Sequence, residues 1–352
     1  MKYLIVQQWP NTKGNHAGMS HMCDLLVNAH PDEYKKIEIQ ETLNCPRRKH
    51  RLIRAILYPY YKLRYINPFM KRNFSVIEKI VQKATTNDNF FLLEYHLFEA
   101  GQNFLAQKIK KYHPSTKIYA LSHLSPTKLI QIGFDKKTIL KWEQYVDIQL
   151  TLGSSLSHFF ESIGISPNKI KTGFHYVDDS FYFNDLTTQK SRSKLNAIVI
   201  GNIQRNYTLL SEIIKKTPYI NWTICGGLFN LTNEIPPSPN VTLKGFIKET
   251  ELKKLMESSD ISVNVVDDTV GSNVITTSMA MGLAIISSDV GSIHDYCTEK
   301  NAIFCQNNVD SFSSAIYTLA NNATLLKQMQ QASIKASKQF SIEKFHNWIK
   351  AL

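Results

Sequence analysis

The chain has 352 residues, enough for two domains that each bury a core. Its hydrophobic fraction of 43% and charged fraction of 20% are those of an ordinary globular protein, and the absence of any run of 18 or more apolar residues excludes a membrane-spanning helix of the usual kind. The formal net charge of +12 favours an anionic partner: nucleic acid, anionic lipid or a phosphorylated substrate. The five cysteines show no C-x-x-C spacing, which supports neither a disulfide framework nor a zinc site, so no metal and a reducing cytoplasm are expected.

The opening MKYLIVQQWP has an apolar stretch too short for a signal peptide and reads as a first buried strand over 3–9. A loop, Pro10 to Gly18, leads into a helix over 19–29, and a short strand follows at 37–39. The stretch 46–74 is helical in pattern but is expected to break at Pro59 and Pro68, with helix resuming over 75–83. Next come a strand at 89–95, an amphipathic helix at 99–112, a strand at 117–121 ending at Ser122-His123, a helix at 135–146, a strand at 148–152 running into Ser154-Ser155, and a strand at 169–174. The polar, aperiodic segment 184–194 reads as a linker. Beyond it lie strands at 197–201, 222–225 and 241–243 with helices at 208–216 and 249–258. A strand at 261–266 precedes a helix opening at Ser272-Asn273, and strands at 284–288 and 302–304 lead to helices over 309–321, 323–338 and 341–351. Strands alternating with helices in this way predict two parallel sheets covered on both faces, with ligands at the strand carboxyl ends.

Between Thr42 and Ile77 there is no Asp or Glu. The same window carries Arg47, Arg48, Lys49, Arg51, Arg54, Lys62, Arg64, Lys71 and Arg72, interleaved with tyrosine and phenylalanine. Nucleic acid is not expected, because no recognition motif accompanies the block. An anionic membrane surface suits it better: the cations meet headgroups while the aromatic rings sit at the interface. Peripheral attachment at the inner face of the cell membrane is the expectation.

The most informative stretch is NVVDDTVGSNVITTSMAMGLAIISSDVGSIHD. An apolar strand gives way to a polar loop, the helix beginning at Ser272-Asn273 closes at Gly282, and a new strand follows at once. Unpaired N–H groups and the helix dipole at such a start attract phosphate. This pattern resembles the donor-site signature of GT-B glycosyltransferases, particularly glycosyltransferase family 4, whose members read roughly E-G-x-P-N-x-x-x-E-A-M-A-x-G-x-P-V-I-A-T-D-V-G-G-x-x-E here. Asn273, Met279, Ala280, Gly282, Asp289, Val290 and Gly291 match; Thr269 and Thr277 stand where the family has glutamates. Further landmarks occur in family order: the loop Gly14 to Gly18, His123 after a strand, Tyr176 to Phe181 before the linker, Ile200-Gly201-Asn202-Ile203 opening the donor half, and Gly245-Phe246-Ile247.

The resemblance implies two facing Rossmann-like, doubly wound parallel-sheet domains. An acceptor domain is expected over 1–185, with the terminal helix 341–352 packing back on it, and a nucleotide-sugar domain over 195–340. It also implies transfer of a sugar from a nucleotide-diphosphate sugar to a glycan or lipid-linked saccharide, with retention of configuration, in bacterial surface polysaccharide assembly. No cofactor beyond the co-substrate is expected. The donor side is expected at Gly201, Asn202, Arg205, Gly226, Gly245, Phe246, Ser272, Asn273 and Thr277. Arg205, or Lys244 or Lys248, would take over the family's cationic contacts to the diphosphate. The acceptor side is expected at Gly14, His16, Gly18, Glu94, His96 and His123, with His123 the catalytic candidate and Glu94 and His96 alternative bases. Two other readings stay open: a nucleotide-sugar epimerase of the same fold, and an inactive glycan-binding or assembly protein, which the missing glutamates favour.

Overall fold

The computed structural model describes residues 1–9, 14–46, 51–184, 194–228 and 230–352, with the backbone alone described at 51, 54, 55 and 76. The chain divides into two compact units: residues 1–152 with 157–172, and residues 153–156 with 173–352.

The first unit holds strands β1 (Lys2–Gln7), β2 (Tyr34–Ile39), β3 (Asn89–Leu92), β4 (Lys117–Ser122), β5 (Ile148–Thr151) and β6 (Ile170–Thr172). They form one parallel sheet in the order β2-β1-β3-β4-β5-β6. The strands read as unbroken apolar runs because both faces are covered: Leu4, Ile5 and Val6 in β1 and Phe90, Phe91 and Leu92 in β3 are all buried. The strand order reverses between β1 and β3, which opens a crevice at their carboxyl ends.

The second unit holds β7 (Asn196–Ile200), β8 (Asn221–Cys225), β9 (Val241–Lys244), β10 (Ile261–Asn264), β11 (Ala284–Ser288) and β12 (Ala302–Cys305), again all parallel, in the order β12-β11-β10-β7-β8-β9. This is the doubly wound dinucleotide-fold order, and its reversal lies between β7 and β10. Alternation along the strands sorts side chains between two cores. Ala197, Val199, Val263 and Ile286 pack on one face with helices Tyr207–Lys216 and Val309–Asn321. Ile198, Ile200 and Ile285 pack on the other with helix Asn273–Ala280. Each fully buried aliphatic side chain contributes about 1.5–3 kcal/mol.

The expected α/β architecture of two parallel sheets is therefore present, and three local expectations change. The helical segment runs through both prolines: an α-helix Arg51–Tyr61 passes into a π-helix Lys62–Ile66 and then an α-helix Asn67–Lys83. Pro68 sits in the first turn of the last helix, where its missing N–H costs little, and the wider π turn before it accommodates the ring. Strand β3 stops at Leu92 rather than at 95, because the Glu94 N–H turns aside to Gln102 Oε1 at 2.8 Å. The following helix begins at Gln102 instead of 99, after Gly101 at φ 62°, where the Phe69 ring leaves no room for a Cβ. The linker expectation at 184–194 falls largely outside the described residues.

Candidate functional site

In the first unit the carboxyl ends of β1, β3 and β4 gather the acceptor-side residues expected there. Glu94 follows β3, is 3% exposed, and spans the β1/β3 reversal. One carboxylate oxygen accepts the Gln7 N–H at 2.7 Å and the other the Trp9 indole N–H at 2.6 Å. Burial pushes its pKa up to about 7 against the pull of those two donors. His96 lies two residues on, 2% exposed among the rings of Tyr95, Phe134 and Phe160. Its Nδ1 meets Ser122 Oγ, which also accepts from Gln149 Nε2 at 2.9 Å. Burial lowers the His96 pKa to about 3, with His123 adding to the effect, so the imidazole is neutral. His123, just past β4, is lowered to about 4 by burial, with a hydrogen bond to the Leu93 backbone acting in the opposite direction. Its Nδ1 is buried with no hydrogen-bond partner among the described residues. His96 and His123 lie near enough to interact, whereas Glu94 bonds toward the β1 side; His16, half-buried, lies against His21 at 4.4 Å between ring centroids. Gly14 adopts φ 78°, and Gly18 precedes helix Met19–Ala29 as its N-cap. Residues 10–13 of that loop lie outside the described residues.

In the second unit the expected donor residues cluster at the carboxyl ends of β7 to β10. The helix Asn273–Ala280 starts where the sequence places it, with Ser272 as N-cap accepting the Val274 N–H at 3.1 Å. The Ser272 carbonyl takes the Ile275 and Thr276 N–H groups. Among the described residues nothing takes the backbone N–H or the side-chain amide of Asn273, which is half-buried rather than sealed. The start of the helix thus keeps an open donor and the positive end of its dipole. The loop before it is held by glycines for steric reasons: Gly271, at φ 99°, would drive a Cβ into the Tyr296 ring, and Gly291, at φ 58°, lies directly against the Thr269 backbone.

Arg205 stands at the β7/β10 reversal. Its guanidinium donates to Asn264 Oδ1 at 2.9 Å and to the Ile200 carbonyl at 2.6 Å, tying the end of β7 to the end of β10. Burial lowers its pKa to about 10, which leaves it cationic at neutral pH. Two of its five N–H groups are used in these bonds. Of the other cations considered, Lys244 pairs with Glu251 at 3.5 Å and Lys248 precedes helix Glu249–Glu257 as its N-cap residue. Tyr207 donates its hydroxyl to the Gly201 carbonyl at 2.7 Å. Thr277 is 5% exposed and donates to the Asn273 carbonyl at 2.6 Å, which leaves its oxygen able only to accept. Thr269 Oγ1 accepts the Gly271 N–H at 3.3 Å.

Gly201, Gly226 and Gly245 follow β7, β8 and β9 in register, joined by bonds from Gly201 N–H to the Cys225 carbonyl and from Gly226 N–H to the Lys244 carbonyl. Asn202 is exposed beside them. Three large apolar side chains stand exposed on the same three loops: Ile203 at 64%, Leu228 at 69% and Phe246 at 58%. Phe246 is among the expected donor residues and Ile203 appears only within a family landmark, whereas Leu228, Trp9 and Asn264 were not singled out in the sequence. Asn264 carried a legible signal, a lone amide inside the apolar run ISVNVV; Leu228 carried none.

Of the basic block, Arg47, Arg48 and Lys49 lie outside the described residues, and only the backbone of Arg51 and Arg54 is described. Lys62, Arg64, Lys71 and Arg72 are exposed on the helical segment, Arg72 pairing with Glu41 at 2.6 Å. No helix among the described residues is long and apolar enough to cross a membrane.

Comparison with known proteins agrees with this architecture. Among curated protein sequences nothing matches the chain significantly. Solved structures do match over its whole length. HepE of Anabaena, solved with UDP and glucose, superposes with a TM-score of 0.71 at 12% identity, covering 100% of both chains. Sucrose-phosphate synthase of Thermosynechococcus elongatus gives 0.75 at 10% identity, covering 100% of this chain and 98% of that one. The lipopolysaccharide outer core galactosyltransferase WaaB gives 0.68 at 13%, covering 100% and 99%. These likenesses establish the GT-B fold. The sequence model described as "Glycosyl transferases group 1" matches residues 197–322, a span running from β7 through helix Val309–Asn321 and containing the Arg205 and Asn273 positions. The second unit thus carries a match to the glycosyl transferase group 1 model over residues 197–322, and the whole chain has the GT-B fold.

Proposed function

We propose that the protein transfers a sugar from a nucleotide-diphosphate sugar to a glycan or lipid-linked saccharide in bacterial surface polysaccharide assembly, with retention of configuration and without a metal. The observations that carry the donor assignment are the open Asn273 N–H at the start of the helix after β10 and the Arg205 cation at the β7/β10 reversal. A departing diphosphate is stabilised by a fixed N–H, a helix dipole and a guanidinium that need no reorganisation when charge develops. The exposed Ile203, Leu228 and Phe246 suit the flat face of a base, and the Gly226 and Gly245 turns let backbone approach it closely. Thr277 replaces a two-oxygen acceptor by a single one, so ribose contact in this reading is through one hydrogen bond. HepE, whose structures hold UDP, glucose or UDP-glucose, and WaaB, a galactosyltransferase of the lipopolysaccharide outer core, support a nucleotide-sugar donor and a surface-glycan acceptor.

On the acceptor side His123 is the proposed base or hydrogen-bonding group. It is held neutral at physiological pH, and its buried Nδ1 has no partner among the described residues. Glu94, poised near neutrality, is the alternative proton acceptor. The basic, aromatic segment 46–74 is proposed to hold the enzyme on an anionic membrane surface.

Thermal-shift titration with a panel of nucleoside diphosphates and nucleotide-sugars tests the donor assignment. A ligand that binds only the folded protein raises its melting temperature, by about 2.7 kcal/mol of stabilisation at a hundredfold excess over Kd. A panel that leaves the transition of the correctly folded protein unmoved sinks the assignment.

A further inference from the structure

A groove of about 1090 Å³ in the first unit belongs to none of the residues assigned so far to donor or acceptor. One wall is the helical segment 51–83 and the other is helix Gln102–Tyr112. Four of its lysines, Lys62, Lys71, Lys108 and Lys111, have no acidic partner among the described residues, whereas Lys110 is taken up by Asp147 at 2.7 Å. Among the described residues Glu78 is the one carboxylate in the lining, and Tyr112 donates to it at 3.4 Å. Lys108 is held in place over the Phe74 ring at 4.3 Å from its centroid. Tyr58 and Tyr112 complete the rim, 42% and 46% exposed. A concave site with this excess of ammonium groups recognises phosphate as a point-charge receptor.

The neighbouring surface indicates what carries that phosphate. Leu52, Ile56 and Leu63 are 80%, 76% and 71% exposed. At spacings of four and seven they fall on one side of the helical segment, forming an apolar stripe beside the Tyr58, Lys62 and Ile66 side that lines the groove. A soluble polyanion gives those three side chains no partner. A bilayer gives them hydrocarbon while its headgroups meet the lysines and tyrosines.

We propose that this groove is a binding site for the phosphate headgroup of an anionic lipid, with Leu52, Ile56 and Leu63 entering the apolar layer next to it. The proposal rests on the membrane-facing part of the reading above and adds Lys108 and Lys111, which lie outside the 46–74 block, to the contact.

The test is cosedimentation of the full chain with vesicles of phosphatidylcholine alone or with one-fifth phosphatidic acid or phosphatidylglycerol. Wild type is expected to bind both anionic vesicles and not the neutral one. Lys108→Glu with Lys111→Glu is expected to weaken that binding by at least about tenfold. Leu52→Ser with Ile56→Ser and Leu63→Ser should weaken it as well. Lys327→Glu with Lys335→Glu, an equal charge change at exposed positions of the second unit, should leave it unaltered. Unchanged circular dichroism and an unchanged nucleotide thermal shift exclude misfolding as the cause. Retention of vesicle binding by the Lys108/Lys111 variant overturns the groove while sparing membrane attachment through the basic block. Failure of wild type to bind any vesicle overturns both, and leaves the nucleotide-sugar assignment standing. Displacement of the vesicles by soluble glycerol phosphate, or binding of a short RNA that the Lys108/Lys111 variant loses, assigns the groove to another ligand and refutes the proposal.

Discussion

Glu94 gives a prediction whose size follows from its surroundings. The carboxyl is 3% exposed, and its pKa rises from 4.5 to about 7 through burial. Between those values the folded chain holds a proton that the unfolded chain has released. Stability contributed by this group is therefore full below pH 4.5, falls as pH rises, and is gone above about 7. The slope is about 1.4 kcal/mol per pH unit at most, and the whole span amounts to about 3 kcal/mol. Glu143 adds a change of the same sign, since burial raises it to about 7 against the attraction of Lys169.

The buried imidazoles act the other way. His96 and His123 fall from 6.5 to about 3 and about 4, so the unfolded chain binds more protons below 6.5 and their contribution is lost as pH drops. Between pH 4.5 and 6.5 two carboxyls and two imidazoles oppose one another, and wild-type stability is expected to be nearly flat there. The difference between wild type and Glu94→Gln removes this cancellation. The variant retains an acceptor for one of the Gln7 and Trp9 N–H groups and loses the titration. Urea unfolding of both proteins at half-unit steps from pH 4.5 to 7.5 should show the variant gaining relative stability with pH, by about 3 kcal/mol across the range. Parallel curves would refute the argument, because they would mean that the carboxylate is already ionised in the fold.

Two further substitutions probe the donor side. Gly271→Ala should cost about 2–3 kcal/mol of stability in denaturant titration and weaken nucleotide binding, because φ 99° and the Tyr296 ring both exclude a Cβ; a change under about 0.5 kcal/mol would show that the loop relaxes freely. Arg205→Gln should weaken nucleoside diphosphate binding in calorimetry by about tenfold or more, the scale of one charge-assisted hydrogen bond, and equal affinity for wild type and variant would remove Arg205 from the site.

How much of this was legible in the sequence depends on how local the cause is. Strands β1, β7, β10 and β11 announce themselves because a strand covered on both faces must be apolar throughout. The helix at Asn273 was readable at both ends, from the Ser272 cap and from Gly282 at φ 71°. Reading Pro59 and Pro68 as breaks failed because it took each proline alone, whereas the intervening π turn is a property of the whole segment. The site itself was half visible. Glu94 stood out at the end of an apolar run and Arg205 through the family resemblance, while Asn264 was passed over; the Gln7, Trp9 and Asn264 partners lie 87, 85 and 59 positions away, and no spacing rule reaches that far. The two bridges have a common logic that only the topology supplies. Each parallel sheet reverses its strand order once, at β1/β3 and at β7/β10, and the strand ends part there with no crossover loop to join them. Glu94 clasps the first gap through Gln7 and Trp9, and Arg205 clasps the second through Ile200 and Asn264. The same side chain thus closes the crevice structurally and places a titratable or cationic group at its floor. Substitution at either position should consequently move stability and ligand affinity together, and a variant that moves one alone would separate the two roles.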